Sequence, residues 1–307
     1  MATEATALHL TDVRLPAREP FDFRASLGFI GSFPAMAGQQ GTAQAALTLA
    51  VREAGATLGV RLTAAPGAPG ASGASGLDAR LAAEQPITAE AVAAVTDRID
   101  FYLGLSDDLA GFYRLARQDE PFARVVERLH GYHQVKFPSP FELLCWAILC
   151  QRVPMPVARQ MKRALVEAVG NRIDVGGERL WAFPDVDQLA RFEEAELVAL
   201  IGNQRKASYL HRSVRLWAEL DEHFLRTGPY QEVRERLLKL PGIGEWSASF
   251  LLIRGLGRME RIVLDKEMGR AVQRVYGRPV DEAEFQRLAE HYGAWQGYWG
   301  HYLRVGG

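Results

Sequence analysis

The chain has 307 residues, a formal net charge of −1 and 48% hydrophobic residues, which suits about two globular domains with real cores. No apolar run is long and uncharged enough to cross a bilayer, and Met1-Ala-Thr-Glu-Ala-Thr6 lacks the basic start and apolar stretch of a secretory signal, so the expected location is the cytoplasm, with no membrane partner. The two cysteines, Cys145 and Cys150, sit in one apolar stretch, which excludes a disulfide framework, a four-cysteine zinc site and a cysteine-bound iron–sulfur cluster.

Residues 7–15 and 43–63 contain short alternating runs such as Gly59-Val-Arg-Leu-Thr63 and predict strands. Between them, Phe21 to Phe29 reads as a helix start. The stretch Ala64-Ala-Pro-Gly-Ala-Pro-Gly-Ala-Ser-Gly-Ala-Ser-Gly76 has nothing to bury and no periodicity. It predicts a flexible loop joining two strands. From residue 88 the apolar spacing is helical over 88–104, 106–117, 119–131, 139–169, 185–200, 204–226, 229–239, 245–255, 266–276, 281–291 and 293–304. Pro and Gly punctuate these segments, as in Ser139-Pro140, Gly170-Asn171 and Gly228-Pro229. The predicted fold class is α+β: a small antiparallel β-sheet/α domain over residues 1–105, then an all-α region over 106–307. Charge is uneven along this order. Residues 1–100 carry a net −3, and residues 201–280 carry +6; a solvated helix surface gives the same count as a nucleic-acid face.

The most informative segment runs from Tyr230 to Arg254. Two amphipathic helices flank the turn Pro241-Gly-Ile-Gly244. Proline ends the first helix, and the two glycines permit tight backbone and close approach. Ile243 is positioned to tuck between the helices. The second helix opens with free N–H groups, which together make an anion site suited to a DNA phosphate. An ordinary αα-turn has the same punctuation. Twenty-one residues after Gly244, Asp265 follows the apolar run Ile262-Val-Leu264 and stands at the mouth of the next helix. Aspartate caps helices well, and a cap also fixes a carboxylate in place.

Leu240-Pro-Gly-Ile-Gly244 followed at this distance by Asp265 resembles the helix-hairpin-helix DNA glycosylase superfamily. Ala147-Ile-Leu-Cys-Gln151, Arg205-Lys-Ala207 with Tyr209-Leu210, and Ala294-Trp-Gln-Gly-Tyr298 are similar to further stretches of its 3-methyladenine DNA glycosylase II branch. Phe21-Asp22 with Leu27-Gly-Phe29 resembles that branch's N-terminal domain. The resemblance implies two helical subdomains with the active-site cleft between them. It also implies a monomeric repair enzyme of the bacterial nucleoid that flips damaged bases out of double-stranded DNA. Asp265 would stabilise the positive charge that builds on the sugar as the C1′–N bond breaks. Gly242, Gly244, Glu245, Trp246 and Ser247 would contact the DNA backbone. Family members that also nick DNA carry a lysine where Trp246 stands, so the resemblance implies base removal alone, leaving an abasic site, with Lys266 as a surface or phosphate contact. An alkylated purine already carries positive charge, which favours aromatic walls. Trp246, Trp295, Tyr298 and Trp299 are the candidates, although aromatics at helical spacing also build cores. Two positions depart from the branch. Arg152 stands where a leucine fills the gap left by the flipped base, and Arg304 stands where a pocket tryptophan is expected. No cofactor is required, but the family hairpin often binds a monovalent cation, Na+ or K+, through carbonyls that correspond to Leu238, Leu240 and Ile243. Two readings remain open beside this one: a glycosylase of the same fold for oxidised or deaminated bases, and a non-catalytic hairpin DNA-binding module.

Overall fold

The computed structural model describes residues 8–36, 39–66 and 76–307. Strands β1 (His9–Pro16), β2 (Gln40–Gly41), β3 (Ala46–Glu53), β4 (Ala56–Ala64) and β5 (Gly76–Ala83) form one antiparallel sheet in the order β1-β5-β4-β3-β2. The run expected as strand over 43–63 is a hairpin. Ala54 and Gly55 take φ of 45° and 73°, and positive φ at both positions is the two-residue turn that matches strand twist. Alternation then buries Leu47, Leu49 and Val51 on β3 and Leu58, Val60 and Leu62 on β4, each 3% exposed or less. Residues 67–75, most of the Ala64–Gly76 stretch, lie outside the described residues. Its flanks β4 and β5 pair antiparallel, so it joins neighbouring strands. The helix start read at Phe21–Phe29 is α1 (Phe23–Ser32), capped by the Asp22 carboxylate accepting the Arg24 and Ala25 amides.

The helical region comprises α2 (Ala89–Leu103), α3 (Ala110–Ala116), α4 (Glu120–Arg128), α5 (Pro140–Leu149) and α6 (Met155–Val169), then α7 (Val186–Ala190), α8 (Glu194–Ile201), α9 (Gln204–Ala218), α10 (Glu222–Thr227) and α11 (Tyr230–Leu238). It closes with α12 (Glu245–Phe250), α13 (Lys266–Tyr276), α14 (Glu282–Glu290) and α15 (Gln296–Gly306). Three of the expected long helices are broken. The segment 139–169 splits because Arg152 adopts φ 52° and Pro154 starts α6. The segment 185–200 splits where Glu193 and Glu196 form a capping box, and 204–226 where Asp221 caps α10. The region after residue 88 is also not wholly helical. Arg172–Val175 (β6) and Glu178–Trp181 (β7) pair around Gly176-Gly177, at φ 59° and 84°, a short hairpin hidden by its length. It packs on the sheet, where a Cβ at Gly59 would meet Val175 at 2.6 Å.

Two cores result. One holds the sheet, α1 to α4 and, from the far end of the chain, α13 to α15. The other holds residues 137–256 with Ala35 and Met36; α5 is its axis, with all ten residues buried. Residues 106–135 and 259–303 therefore share a core with the sheet. The boundary expected after residue 105 is not a break in packing, because the chain returns to its start. Among the described residues no helix is long and apolar enough to cross a membrane.

Candidate active site

The hairpin forms as α11, the turn, and α12. Gly242 takes φ 83°, and a Cβ there would meet the Tyr209 ring at 2.6 Å, so only glycine fits both the backbone and the close approach. Neighbouring elements hold the turn. Ser213 Oγ on α9 donates to the Pro241 carbonyl at 3.0 Å, and Gln151 Nε2 after α5 donates to the Gly242 carbonyl at 2.7 Å. Ile243 is 6% exposed, wedged between the helices as expected. Gly244, Glu245 and Trp246 are exposed at the start of α12, and no side chain caps its first amides. The Glu245 carboxylate pairs with Arg234. The Ser247 side chain is buried at 7% exposure, so a contact from this position would come from its backbone amide. Arg152 lines a recess of about 410 Å³ together with Gly242, Ile243, Gly244 and Arg205. The gap-filling position and the hairpin thus share one face.

Asp265 is the N-cap of α13, and its Oδ1 accepts the Met268 amide at 2.7 Å. Its Oδ2 accepts Trp246 Nε1 at 3.0 Å and Arg304 Nη2 at 2.7 Å. Burial pushes the carboxyl upward, but the Met268 amide, the Arg304 charge and the indole N–H outweigh it. Asp265 is therefore held below the usual carboxylate range and is ionised at neutral pH. The side chain keeps 21% exposure, so the caged carboxylate remains open on one side.

That open side faces a cavity of about 350 Å³. Trp246, 47% exposed, stands at its mouth with its ring 5.2 Å from Phe250. Phe29 and Phe33 reach in from the N-terminal part, Arg254 from the end of the hairpin, and His301 and Arg304 from α15. A larger recess of about 590 Å³ beside Tyr230 and Arg261 contains neither Asp265 nor Trp246, so the chemistry singles out the smaller cavity. Three aromatics expected on the wall are elsewhere. Tyr298 is 1% exposed and donates its hydroxyl to Asp107; Trp299 is 0% exposed and donates to Tyr276 Oη at 3.2 Å. Trp295 packs on Phe112, and none of the three lines the cavity. On α15 the small residues Gly297 and Gly300 line the cavity instead, and the large rings beside them point into the core. Sequence reasoning passed over Phe29, Phe33, Phe250, Arg254 and His301. The 3.6-residue period that marks Phe250 and Arg254 as neighbours gave no sign of which face meets α1, and Phe29 and Phe33 lie more than 200 residues away in the chain.

Residues 145–293 match the family model described as HhH-GPD superfamily base excision DNA repair protein. The chain is 31% identical over 157 residues to the DNA-3-methyladenine glycosylase of Bacillus subtilis (strain 168), which covers 50% of this chain and 52% of that protein. It thus spans about half the length of that curated relative. Among solved structures it is similar to the 3-methyladenine DNA-glycosylase from Archaeoglobus fulgidus, with a TM-score of 0.77 at 20% identity over 96% of this chain and 97% of that one. It is also similar to the 8-oxoguanine glycosylase/lyase of Clostridium acetobutylicum in its apo-form, at TM-score 0.68 and 17% identity over 98% of each chain. At these identities the structural likeness speaks for the fold alone.

Proposed function

We propose, from the match of residues 145–293 to the model of the HhH-GPD superfamily of base excision DNA repair proteins, that the protein is a monofunctional DNA glycosylase for alkylated bases of the 3-methyladenine and 7-methylguanine type, acting as a monomer on double-stranded DNA. The observation that carries this reading is the caged, ionised Asp265 on the wall of an aromatic cavity that adjoins the hairpin. The hairpin amides hold the backbone, which fixes position without reading sequence, and Arg152 fills the gap left by the flipped base. The damaged base leaves the stack, at a cost lower for damaged than for normal pairs, and enters the cavity. As the C1′–N bond breaks, Asp265 stabilises the positive charge on the sugar while water adds to C1′. The hairpin offers no amine nucleophile, because Trp246 occupies the lysine position and Lys266 is an exposed side chain that does not line the cavity. Support for alkylated substrates comes from the name of the Bacillus subtilis relative and from the rings of Trp246 and Phe250 that line the cavity. The carbonyls of Leu238, Leu240 and Ile243 are neutral oxygen donors of the kind that hold Na+ or K+; Leu240 already accepts the Ile243 amide at 3.0 Å and keeps a second lone pair for an ion.

Asp265→Asn tests the reading. Single-turnover release of 7-methylguanine falls by about 100-fold or more, while binding to a duplex bearing an abasic analogue survives. Release at the wild-type rate contradicts it. Borohydride added during wild-type turnover traps no protein–DNA adduct; a trapped adduct means that an amine takes part and the enzyme is not monofunctional.

A further inference from the structure

Arg152, the arginine at the gap, is exposed and takes φ 52°. A residue with a side chain keeps this left-handed conformation only where its surroundings enforce it. Two side chains do so here. Lys206, near the start of α9, is 6% exposed, and its ammonium donates to the carbonyls of Ile148 at 3.0 Å, Leu149 at 2.8 Å and Gln151 at 2.7 Å. Three bonds occupy all three hydrogens of the ammonium, so none is left for DNA. Lys206 is itself fixed at the backbone, where the Asn203 cap of α9 accepts its amide at 3.1 Å. Gln151 is the second. Its Nε2 reaches the Gly242 carbonyl in the hairpin turn at 2.7 Å, so Gln151 is tied at one end to Lys206 and at the other to the hairpin.

The bonds to Ile148 and Leu149 serve the end of α5, where the last carbonyls have no partner inside the helix, and a lysine there is ordinary. The bond to Gln151 is different. Gln151 lies beyond both Leu149 and the Cys150 cap, and its carbonyl belongs to the peptide that leads into Arg152. That peptide is planar, so holding its oxygen sets the axis about which Arg152 turns. On the other side Pro154 starts α6 and restricts Val153 before it. The backbone at Arg152 is thus constrained from both directions, whereas its side chain makes no hydrogen bond or ion pair among the described residues. A strained, clamped backbone under an uncommitted guanidinium suits a group that must reach outside the protein.

We propose that Lys206 and Gln151 are positioning residues for base flipping: they clamp the peptide before Arg152 to the hairpin, so that the turn facing the DNA backbone and the arginine entering the gap act as one body. The inference rests on the glycosylase reading and deepens it. With the hairpin seated, Arg152 is already aimed, and filling the gap requires no further ordering of the turn. Loosening the clamp therefore slows the step in which a paired base leaves the stack. It does not touch the chemistry at Asp265, which lies on another element. A lesion that has no partner costs less to flip and depends less on the clamp.

The test measures single-turnover release of 7-methylguanine, with enzyme saturating the DNA, from two duplexes. In one the lesion is paired with cytosine; in the other it stands opposite an abasic analogue. Lys206→Met is expected to lower the ratio of paired to unpaired release by at least about tenfold, and Arg152→Ala by a similar factor. The double variant is expected to lose no more of that ratio than Arg152→Ala alone, because Lys206 acts through Arg152. An equal fall on both duplexes, or losses that multiply in the double variant, overturns the proposal. Gln151→Leu, which cuts the tie to the hairpin and leaves the end of α5 closed, carries the same expectations and serves if Lys206→Met does not fold. Stability supplies a readout free of activity. Arg152→Gly is expected to melt at a higher temperature than Arg152→Ala, since glycine alone takes a positive φ without strain; equal melting temperatures overturn the clamped geometry. A wild-type protein that releases the base from neither duplex overturns the glycosylase reading, and the clamp's role with it. Wild-type release without the selective loss in the variants leaves that reading intact and removes this one.

Discussion

A carboxylate that stabilises a developing cation must itself remain charged, and at Asp265 three donors enforce this. The Met268 amide fixes the side chain as a helix cap, and Trp246 and Arg304 converge on the other oxygen. Because the folded carboxyl is held below its ordinary value, the ionised form persists at pH values where a free aspartate has begun to protonate. Base release that depends on this charge therefore keeps its rate on the acid side until the pH falls through the depressed value. Arg304→Ala removes one charge and one hydrogen bond that lower the carboxyl, leaving only the Met268 amide and the Trp246 indole to oppose burial. The acid limb of the rate–pH profile then moves to higher pH, while the plateau near neutrality keeps Asp265 ionised. A limb in the same place in the variant and the parent shows that Asp265 is not the group that titrates. Linkage has the same sign: the stability Asp265 contributes is present above its unfolded value and lost as pH falls through the folded one. Of the two positions that depart from the expected pattern, Arg304 anchors the Asp265 carboxylate, and Arg152 stands at φ 52° in the turn that separates α5 from α6.

In the proposed reading the hairpin carries the contact with the DNA backbone, and its constraint is steric. Gly242→Ala places a Cβ 2.6 Å from the Tyr209 ring, at a φ of 83° that L-residues rarely adopt. The expected cost is about 1–3 kcal/mol of stability. DNA affinity should weaken further as the turn shifts its uncapped amides, read as a lower melting temperature and a raised Kd for duplex DNA at fixed salt. An unchanged Kd means that the amides of this turn do not carry the backbone contact. This hairpin, the cap at Asp265 and the strand alternation were legible in the sequence because each rests on local rules: proline, paired glycines, an aspartate before a helix, a period of two. The cavity was not. Its walls are drawn from α1, the π-helical turn and α15, and a helix's own sequence does not say which partner its apolar face meets. Tyr298 and Trp299 illustrate the limit. Their spacing along α15 is the same whether the rings face a ligand or a core, and only the packing of α15 against α3, α4 and α13 turns them inward. The β6–β7 hairpin was missed for a different reason, since four-residue strands carry too few residues for alternation to stand out.

Across the whole molecule, the cavity depends on how the two cores are held together, because Phe29 and Phe33 belong to the N-terminal segment while Trp246, Phe250 and Arg254 belong to the hairpin. One fastening of that N-terminal segment comes from a buried ion pair inside the helical core. Lys162 on α6, with its side chain 2% exposed, donates to Glu142 Oε1 on α5 at 2.5 Å and to the Ala35 carbonyl at 3.0 Å. Ala35 lies in the turn that directly follows Phe33, so this ammonium ties the cavity's aromatic wall to the helical core. Lys162→Met leaves the Glu142 carboxylate buried without its counter-charge and the Ala35 carbonyl without its donor. Breaking one side of such a pair costs about 3–5 kcal/mol, which urea unfolding reads as a lower midpoint at unchanged slope. The pair itself is not a large source of stability, since its attraction offsets the cost of taking two charges out of water. Adding Glu142→Leu to Lys162→Met therefore restores most of the loss. The double variant still lacks the bond to Ala35. If that bond positions Phe33, the double variant regains its unfolding midpoint but releases bases more slowly than the parent. A double variant as fast as the parent assigns the pair to stability alone, with the placement of Phe29 and Phe33 left to the packing of α1.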